Sequence, residues 1–112
     1  MATEYNISLM RGDTFIGFQF QCLINDTPLN LTGASIKCEI RQNNKTGKRI
    51  FLREIGSGIT VINENDGLAQ FDTLKWTAEA GEFYYDIEVT DNNNVVRTFV
   101  TGIITANQDV TK

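Results

Sequence analysis

Apolar and polar side chains alternate with a period of two along three stretches of the chain, residues 16–24, 36–40 and 83–89. This period places all the apolar side chains of a stretch on one face of a β-strand. The composition agrees, because Ile, Val and Thr together number 31 whereas Ala and Leu together number 13. β-Branched side chains fit a pleated surface well. The pattern therefore predicts three half-buried strands.

The remaining apolar runs predict five further strands, separated by polar turns. These runs are residues 5–9, 49–55, 59–62, 68–73 and 95–106, and the turns are 43–47, 65–67 and 91–94. Only residues 73–81 have helical character, over barely two turns. Many short strands with Asn, Asp and Gly between them are typical of an antiparallel sandwich or barrel. We expect an all-β, immunoglobulin-like antiparallel sandwich of about seven to nine strands, one domain spanning residues 1–112 with at most one short helical turn.

Charge and residue content exclude several function classes. The chain has 10 basic and 14 acidic residues, a net charge of −4, which argues against binding to nucleic acid phosphates. It has no His, so it cannot form a Ser-His-Asp or Cys-His nucleophile system, and two Cys are too few for a zinc site. It has no apolar run of the ~20 residues needed to span a bilayer, and no secretory signal is visible at its amino end. We expect no enzymatic activity, cofactor, metal, nucleic acid or membrane partner.

Several residues allow two interpretations, which predict different structural roles. Cys22 and Cys38 are predicted to point inward, as buried free thiols or, alternatively, as a disulfide. Gly102, within the last strand, predicts either a bulge or a close backbone approach. Trp76 and Tyr84 could stack on a sugar ring, although Trp76 is better explained as a cap on one end of the sandwich, whose core Phe83 and Tyr85 fill.

Several polar segments also allow two interpretations. The Arg11-Gly12-Asp13 tripeptide would need extracellular exposure to act as an adhesion ligand; as a turn, Gly12 supplies the backbone angle and Asp13 bonds nearby amides. The oxygen-rich loops 63–66 and 91–94 could bind calcium but have the composition of ordinary turns. Asp86 and Glu88 share one face of a strand, as a glycosidase pair might. The sequence offers no partner residues for such a site, so a solvated strand face is the better explanation.

Several short motifs occur in a familiar order. The chain carries Tyr5-x-Ile7, then Arg11-Gly12-Asp13-Thr14, then a Leu-Asn-Leu-Thr-Gly-Ala turn at residues 29–34. Gly67 before a strand, the Ala-Gly-Glu-Phe-Tyr-Tyr-Asp-Ile strand of residues 80–87, the segment 98–102 and Asp109-Val110-Thr111 follow. This order resembles the small amino-terminal β-sandwich domain of bacteriophage baseplate upper proteins and related tail or fibre-attachment proteins. The chain departs from the family pattern at Asn30, where Asp is usual, and at Phe83, where Tyr is frequent. It also lacks the linker and receptor-binding regions into which family members often continue, which places host recognition by this chain in doubt.

The resemblance implies a non-enzymatic virion structural protein of the baseplate, tail or fibre attachment, made in the host bacterial cytoplasm. Its partners would be other virion structural proteins, and the chain would be a homo-oligomer in the particle. The alternatives are a capsid-decoration or neck-associated protein and a carbohydrate-binding module. Arg11, Asp13, Asn30 and Thr32 are candidate subunit-contact residues, on the hypothesis that their two turns form one end of the sandwich. The competing interpretation is that both turns serve only the fold.

Overall fold

The fold consists of β-strands and the turns between them. A computed structural model describes residues 3–42 and 47–108, and within these residues there are thirteen strands and no helix. In chain order the strands are β1 (Thr3–Glu4), β2 (Ile7–Met10), β3 (Thr14–Phe15), β4 (Phe18–Gln21), β5 (Leu23–Ile24), β6 (Thr27–Pro28), β7 (Ser35–Gln42), β8 (Arg49–Ile55), β9 (Gly58–Asn63), β10 (Leu68–Phe71), β11 (Leu74–Lys75), β12 (Gly81–Thr90) and β13 (Val96–Asn107). The predicted turn 43–47, apart from Gly47, and the closing Asp109-Val110-Thr111 lie outside the described residues.

Nine of these strands form one mixed sheet. Its order is β1-β13-β12-β7-β8-β9-β10-β4. β2 pairs with the same edge of β13 as β1 does, but nearer the carboxyl end of β13. Two small pairs, β3 with β11 and β5 with β6, lie outside it. The sheet curls into a half-barrel. The all-β class is thus confirmed.

The prediction of a wholly antiparallel arrangement is wrong. The β1–β13, β2–β13 and β8–β9 pairings are all parallel. A period-two pattern identifies a strand from its own residues, but it carries no information on the direction of the neighbouring strand.

The longest strands supply much of the core. The inward residues of β7 and β12 are those that the alternation predicted, Ile36, Cys38, Ile40, Phe83, Tyr85, Ile87 and Val89, and all are buried. The curl brings the two ends of the sheet together. The ring centroids of Tyr5, next to β1, and Phe18, in β4, lie only 4.7 Å apart. One continuous apolar core fills the space inside the curl.

The predicted strand over residues 16–24 is broken into β4 and β5, and Ile16 and Gly17 lie between β3 and β4. Ile16, expected to face the core, is 76% exposed. The cause lies at Gly17, which has a φ of +99° and where any Cβ would collide with the carbonyl oxygen of Phe71. The chain changes direction at this glycine, and Phe15 packs against the core where the pattern had placed Ile16.

The helical turn expected over residues 73–81 is absent. Residues 74 and 75 form β11 instead, paired with β3. The backbone of Trp76 continues this contact by accepting a hydrogen bond from Gly12 N–H at 2.9 Å and donating one to the carbonyl of Asp13 at 3.0 Å. The Trp76 side chain is fully buried, as predicted. Its packing decides the local conformation over the weak helical propensity of this short segment.

Two other expectations are confirmed. Gly102 marks a close backbone approach, because any Cβ there would collide with the carbonyl oxygen of Tyr5. The register shift in the β12–β13 ladder lies elsewhere, at Ile87 and Glu88. Cys22 and Cys38 are both buried free thiols.

Candidate interaction surfaces

The Arg11–Asp13 turn is fixed by its backbone and displays its side chains. Asp13 N–H donates to the carbonyl of Met10 at 3.0 Å, and Arg11 N–H donates to the carbonyl of Asn107 at 2.8 Å. Gly12 supplies the left-handed angle with a φ of +91°, as expected. The Asp13 carboxylate was predicted to bond nearby amides, but neither it nor the Arg11 guanidinium makes a hydrogen bond or ion pair with any residue of 3–42 or 47–108. Both side chains are exposed and available for a contact.

The Asn30–Thr32 turn uses its key side chain for the fold. The Asn30 side-chain oxygen accepts a hydrogen bond from Thr32 N–H at 2.8 Å, which is the local turn chemistry that Asn was expected to provide. Leu31 is buried, and its N–H donates to the carbonyl of Glu64 at 2.9 Å. Gly33 follows with a φ of +73°. In this turn the exposed Thr32 side chain is the group that can contact a partner.

The structure does not bring these two turns together. The Arg11 turn lies beside Asn107, at the carboxyl end of β13. The Asn30 turn lies at the other end of the β12–β13 hairpin, where a Cβ on Gly33 would be 3.5 Å from that of Asn92. β13 is 12 residues long, so about 40 Å separates its ends. The hypothesis that both turns form one end of the domain is therefore wrong, and a contact surface at either end contains only one of them.

The aromatic residues proposed for sugar stacking are mostly inside. Trp76 is 0% exposed, donates its indole N–H to the carbonyl of Glu79 at 3.0 Å and packs 4.8 Å from the ring of Phe83. Tyr84 is half-buried and points to the outer face of the sheet. A stacking platform on this face would depend on Tyr84 alone among the residues of the 83–85 segment.

A small polar hollow surrounds Tyr84 on that outer face. Glu39, Arg41, Tyr84, Tyr85 and Asp86 line a volume of about 70 Å³. Glu39 pairs with Arg41 at 3.1 Å and with Arg49 at 3.0 Å. Partial burial acts to raise the pKa of Glu39, but the hydrogen bonds from these two arginines outweigh it, and the pKa is lowered from its usual value.

The proposed carboxylate pair lies on the same outer face. Asp86 and Glu88 are both half-buried, on alternate residues of β12. Asp86 stands opposite Glu39 in the ladder, and Glu88 stands opposite Lys37. The carboxylates therefore belong to a ladder of mixed charge along the sheet, as expected of a solvated strand face.

The two oxygen-rich loops are built as turns. Asn63 accepts hydrogen bonds from Asn65 N–H at 3.1 Å and Asp66 N–H at 3.2 Å. Asp91 accepts from the backbone N–H groups of Asn93 and Val95 at 2.9 and 3.0 Å. Among the described residues no cluster of three acidic or thiol ligands could hold a metal ion.

A groove that sequence analysis did not anticipate runs between the two ends of the curled sheet. One part, of about 390 Å³, lies between β4 and the β1–β13 edge, and Tyr5, Phe18, Phe20 and Phe99 are among its lining residues. A second part, of about 420 Å³, continues from Phe99 and separates β5 from the start of β13. Its walls combine residues from three segments of the chain, within 3–5, 18–25 and 97–100. No local pattern revealed the groove, because the pairing of the whole sheet brings these segments together.

Comparison with known proteins gave no match, either to a protein-family model or to a curated protein. No helix that could cross a membrane occurs in the part of the chain that the structure describes.

Proposed function

We propose that this chain is a non-enzymatic structural protein of a bacteriophage virion, a component of the baseplate, the tail or the fibre attachment that acts through protein–protein contacts. The ordered motifs between Tyr5 and residue 102 support this proposal. Those motifs imply an immunoglobulin-like sandwich. In this chain the corresponding structure would be the curled sheet, whose two halves pack on one core.

The observation that carries the proposal is the use of the motif residues in long-range contacts. Tyr85, in the strand motif, donates its hydroxyl hydrogen to the carbonyl oxygen of Tyr5, in the opening motif, 80 residues away. Gly102, in the last motif, makes room for that same carbonyl. Three separate motifs therefore meet at one point, so the motif residues take part in the tertiary packing of this chain as well as in its local turns.

The available surfaces fit a docking role. The exposed Arg11 and Asp13 side chains lie at one end of the domain, and exposed Thr32 lies at the other. A domain with exposed polar side chains at each of its two ends can bind one neighbour at each end, as a subunit of a ring or a stack requires. Capsid decoration or a neck position would use the same geometry at another site in the particle.

A carbohydrate-binding module is the second candidate, and Tyr84 beside the polar hollow is the observation that favours it. Aromatic stacking together with Asp86 and Arg41 as hydrogen-bonding groups could hold one sugar ring. Burial of Trp76 removes the larger of the two rings on which this alternative depended.

Mass spectrometry of gradient-purified particles of the encoding phage tests the proposal. We expect the chain in the particles at a low, symmetric copy number relative to the tail-tube protein. A copy number close to that of the capsid protein would indicate decoration instead. Absence from the particles, together with saturable glycan binding that Tyr84→Ala abolishes and Tyr5→Ala retains, would overturn the virion proposal in favour of the second candidate.

A further inference from the structure

The first four residues of β13 have a strand neighbour on one side only. Val96, Arg97 and Thr98 pair with β12. On the opposite side, β1 covers only Val100 and Thr101, and β2 covers β13 from Ile104 onward. Among the described residues, no strand pairs with this side of Val96–Phe99. In the regularly paired part, residues 96–98, alternate residues therefore direct backbone N–H and C=O groups into the groove, and the register shift falls at Phe99.

A second open edge faces this one. β4 is the last strand of the sheet at the other end and pairs only with β10. The curl of the sheet places β4 and the following β5 across the groove from the start of β13. The groove thus has backbone hydrogen-bonding groups along both walls and apolar side chains, including Phe20 and Phe99, at its floor.

We propose that this groove receives an extended segment of another protein, which adds a strand to β13 alongside Val96–Phe99, in line with β1. Such strand addition combines main-chain hydrogen bonds with pockets for alternate side chains. Four residues of extended chain, about 13 Å, match the uncovered length of β13. The proposal concerns the kind of contact, and it holds whether or not the partner is a virion protein.

The dimensions of the groove favour a single segment over a folded surface. Eight residues line one part and six the other, with Phe99 common to both. A stable contact between two folded surfaces needs roughly 20–30 residues on each side. Every strand of four or more residues that the structure describes is already paired within the sheet, so that part of a second copy has no free segment to insert.

The charges in the groove define the chemistry of the segment. Its walls are neutral except for Arg97, whose guanidinium pairs with Asp91 at 2.9 Å. A charged side chain inserted opposite Phe20 and Phe99 would lose its hydration without gaining a partner. The segment should therefore be uncharged over its central residues, with an apolar side chain at every second position.

Amide hydrogen exchange of the full-length, isotope-labelled chain tests this assignment. The probe is an acetylated and amidated peptide of alternating Thr and Val with one Lys at each end; the control peptide has Pro at two central positions and cannot pair. At a peptide concentration about ten times its Kd, we expect about ten-fold slower exchange at alternate amides of Val96–Phe99. The control peptide should leave these amides unchanged.

Two variants give the test a matched comparison. Thr98→Lys places a charge at the groove, and we expect it to weaken peptide binding about ten-fold, since a mismatch of about 1.4 kcal/mol suffices for that factor. Thr105→Lys makes the same change on β13 where β2 already covers the edge, and it should bind as the parent does. Equal slowing by both peptides, or no slowing with the probe, overturns the proposal. So does a dimer, seen by sedimentation without peptide, that protects the same amides.

Discussion

At the scale of single residues, the Asp91 side chain makes three hydrogen bonds at one short turn. The side chain is buried, accepts two backbone N–H groups of its own turn and pairs with Arg97. The hydrogen bond from Val95 N–H is the largest influence on the pKa of Asp91, and with those from Arg97 and Asn93 it lowers that pKa below its usual value against the opposing effect of desolvation. One carboxylate thereby fixes the connection between the two longest strands.

We predict that Asp91→Asn destabilises the protein and flattens its acid sensitivity. A carboxylate whose pKa is lowered by folding stabilises the folded state above its unfolded pKa of about 3.9, and this contribution is lost as the pH falls through the folded pKa. Urea unfolding between pH 6 and pH 2 should show a lower free energy of unfolding for the variant at pH 6 and a smaller decrease in acid. Asp13→Asn, at a carboxylate without hydrogen bonds among the described residues, should follow the parent. Coincident curves for the two variants would contradict this role of Asp91.

The hydroxyl of Tyr85 provides a second residue-scale prediction. Burial raises its pKa, so the neutral hydroxyl donates to the Tyr5 carbonyl throughout the ordinary pH range. Tyr85→Phe keeps the ring and removes the donor, and should cost about 1 kcal/mol of unfolding free energy. Tyr84→Phe is the matched control, because the Tyr84 hydroxyl has no partner among the described residues. If chemical denaturation gives both variants the same loss, the Tyr85–Tyr5 bond contributes nothing specific.

At the scale of elements, the sequence located most strands because their alternation is a local property. It failed where a distant residue decided the conformation, as Phe71 does at Gly17 and as the core does at Trp76. The same division applies to the candidate surfaces. The turns at Gly12 and Asn30 can be predicted from the conformational preferences of these residues alone. Their separation at opposite ends of β13 depends instead on the pairing of the whole sheet.

The attachment of β1 is the element-scale prediction. Gly102→Ala would place a Cβ against the Tyr5 carbonyl, where backbone must shift to admit it. We expect a loss of about 1–3 kcal/mol and faster hydrogen exchange of the Tyr5 amide, which donates to Thr101. Gly12→Ala adds a Cβ with nothing within 4 Å; its left-handed backbone should cost about 1–2 kcal/mol without loosening β1. Unchanged exchange at Tyr5 in Gly102→Ala would show that β1 does not depend on this close approach.

At the scale of the whole molecule, the curled sheet shields both thiols. Burial raises the pKa of Cys22 to about 11 and that of Cys38 further. At pH 8 only about one Cys22 thiol in a thousand would be ionised, and both side chains are 0% exposed. We predict that a thiol reagent labels the two cysteines at one common rate, which increases with urea as global unfolding does. Selective labelling of Cys22 in the absence of denaturant would show that the half-barrel opens locally.

The parallel pairing of β1 with β13 has a consequence for how the chain is made. Asn6 and Ile103, which share a hydrogen bond across this region, are 97 residues apart. At a synthesis rate of about 5–20 residues per second, roughly 5–20 s pass between the synthesis of β1 and β2 and that of β13. Contacts so distant in sequence also slow folding, since a long loop must close before they form. Until β13 has been synthesised, β1 and β2 have no strand to pair with, and their backbone hydrogen-bonding groups stay open to other chains during that time.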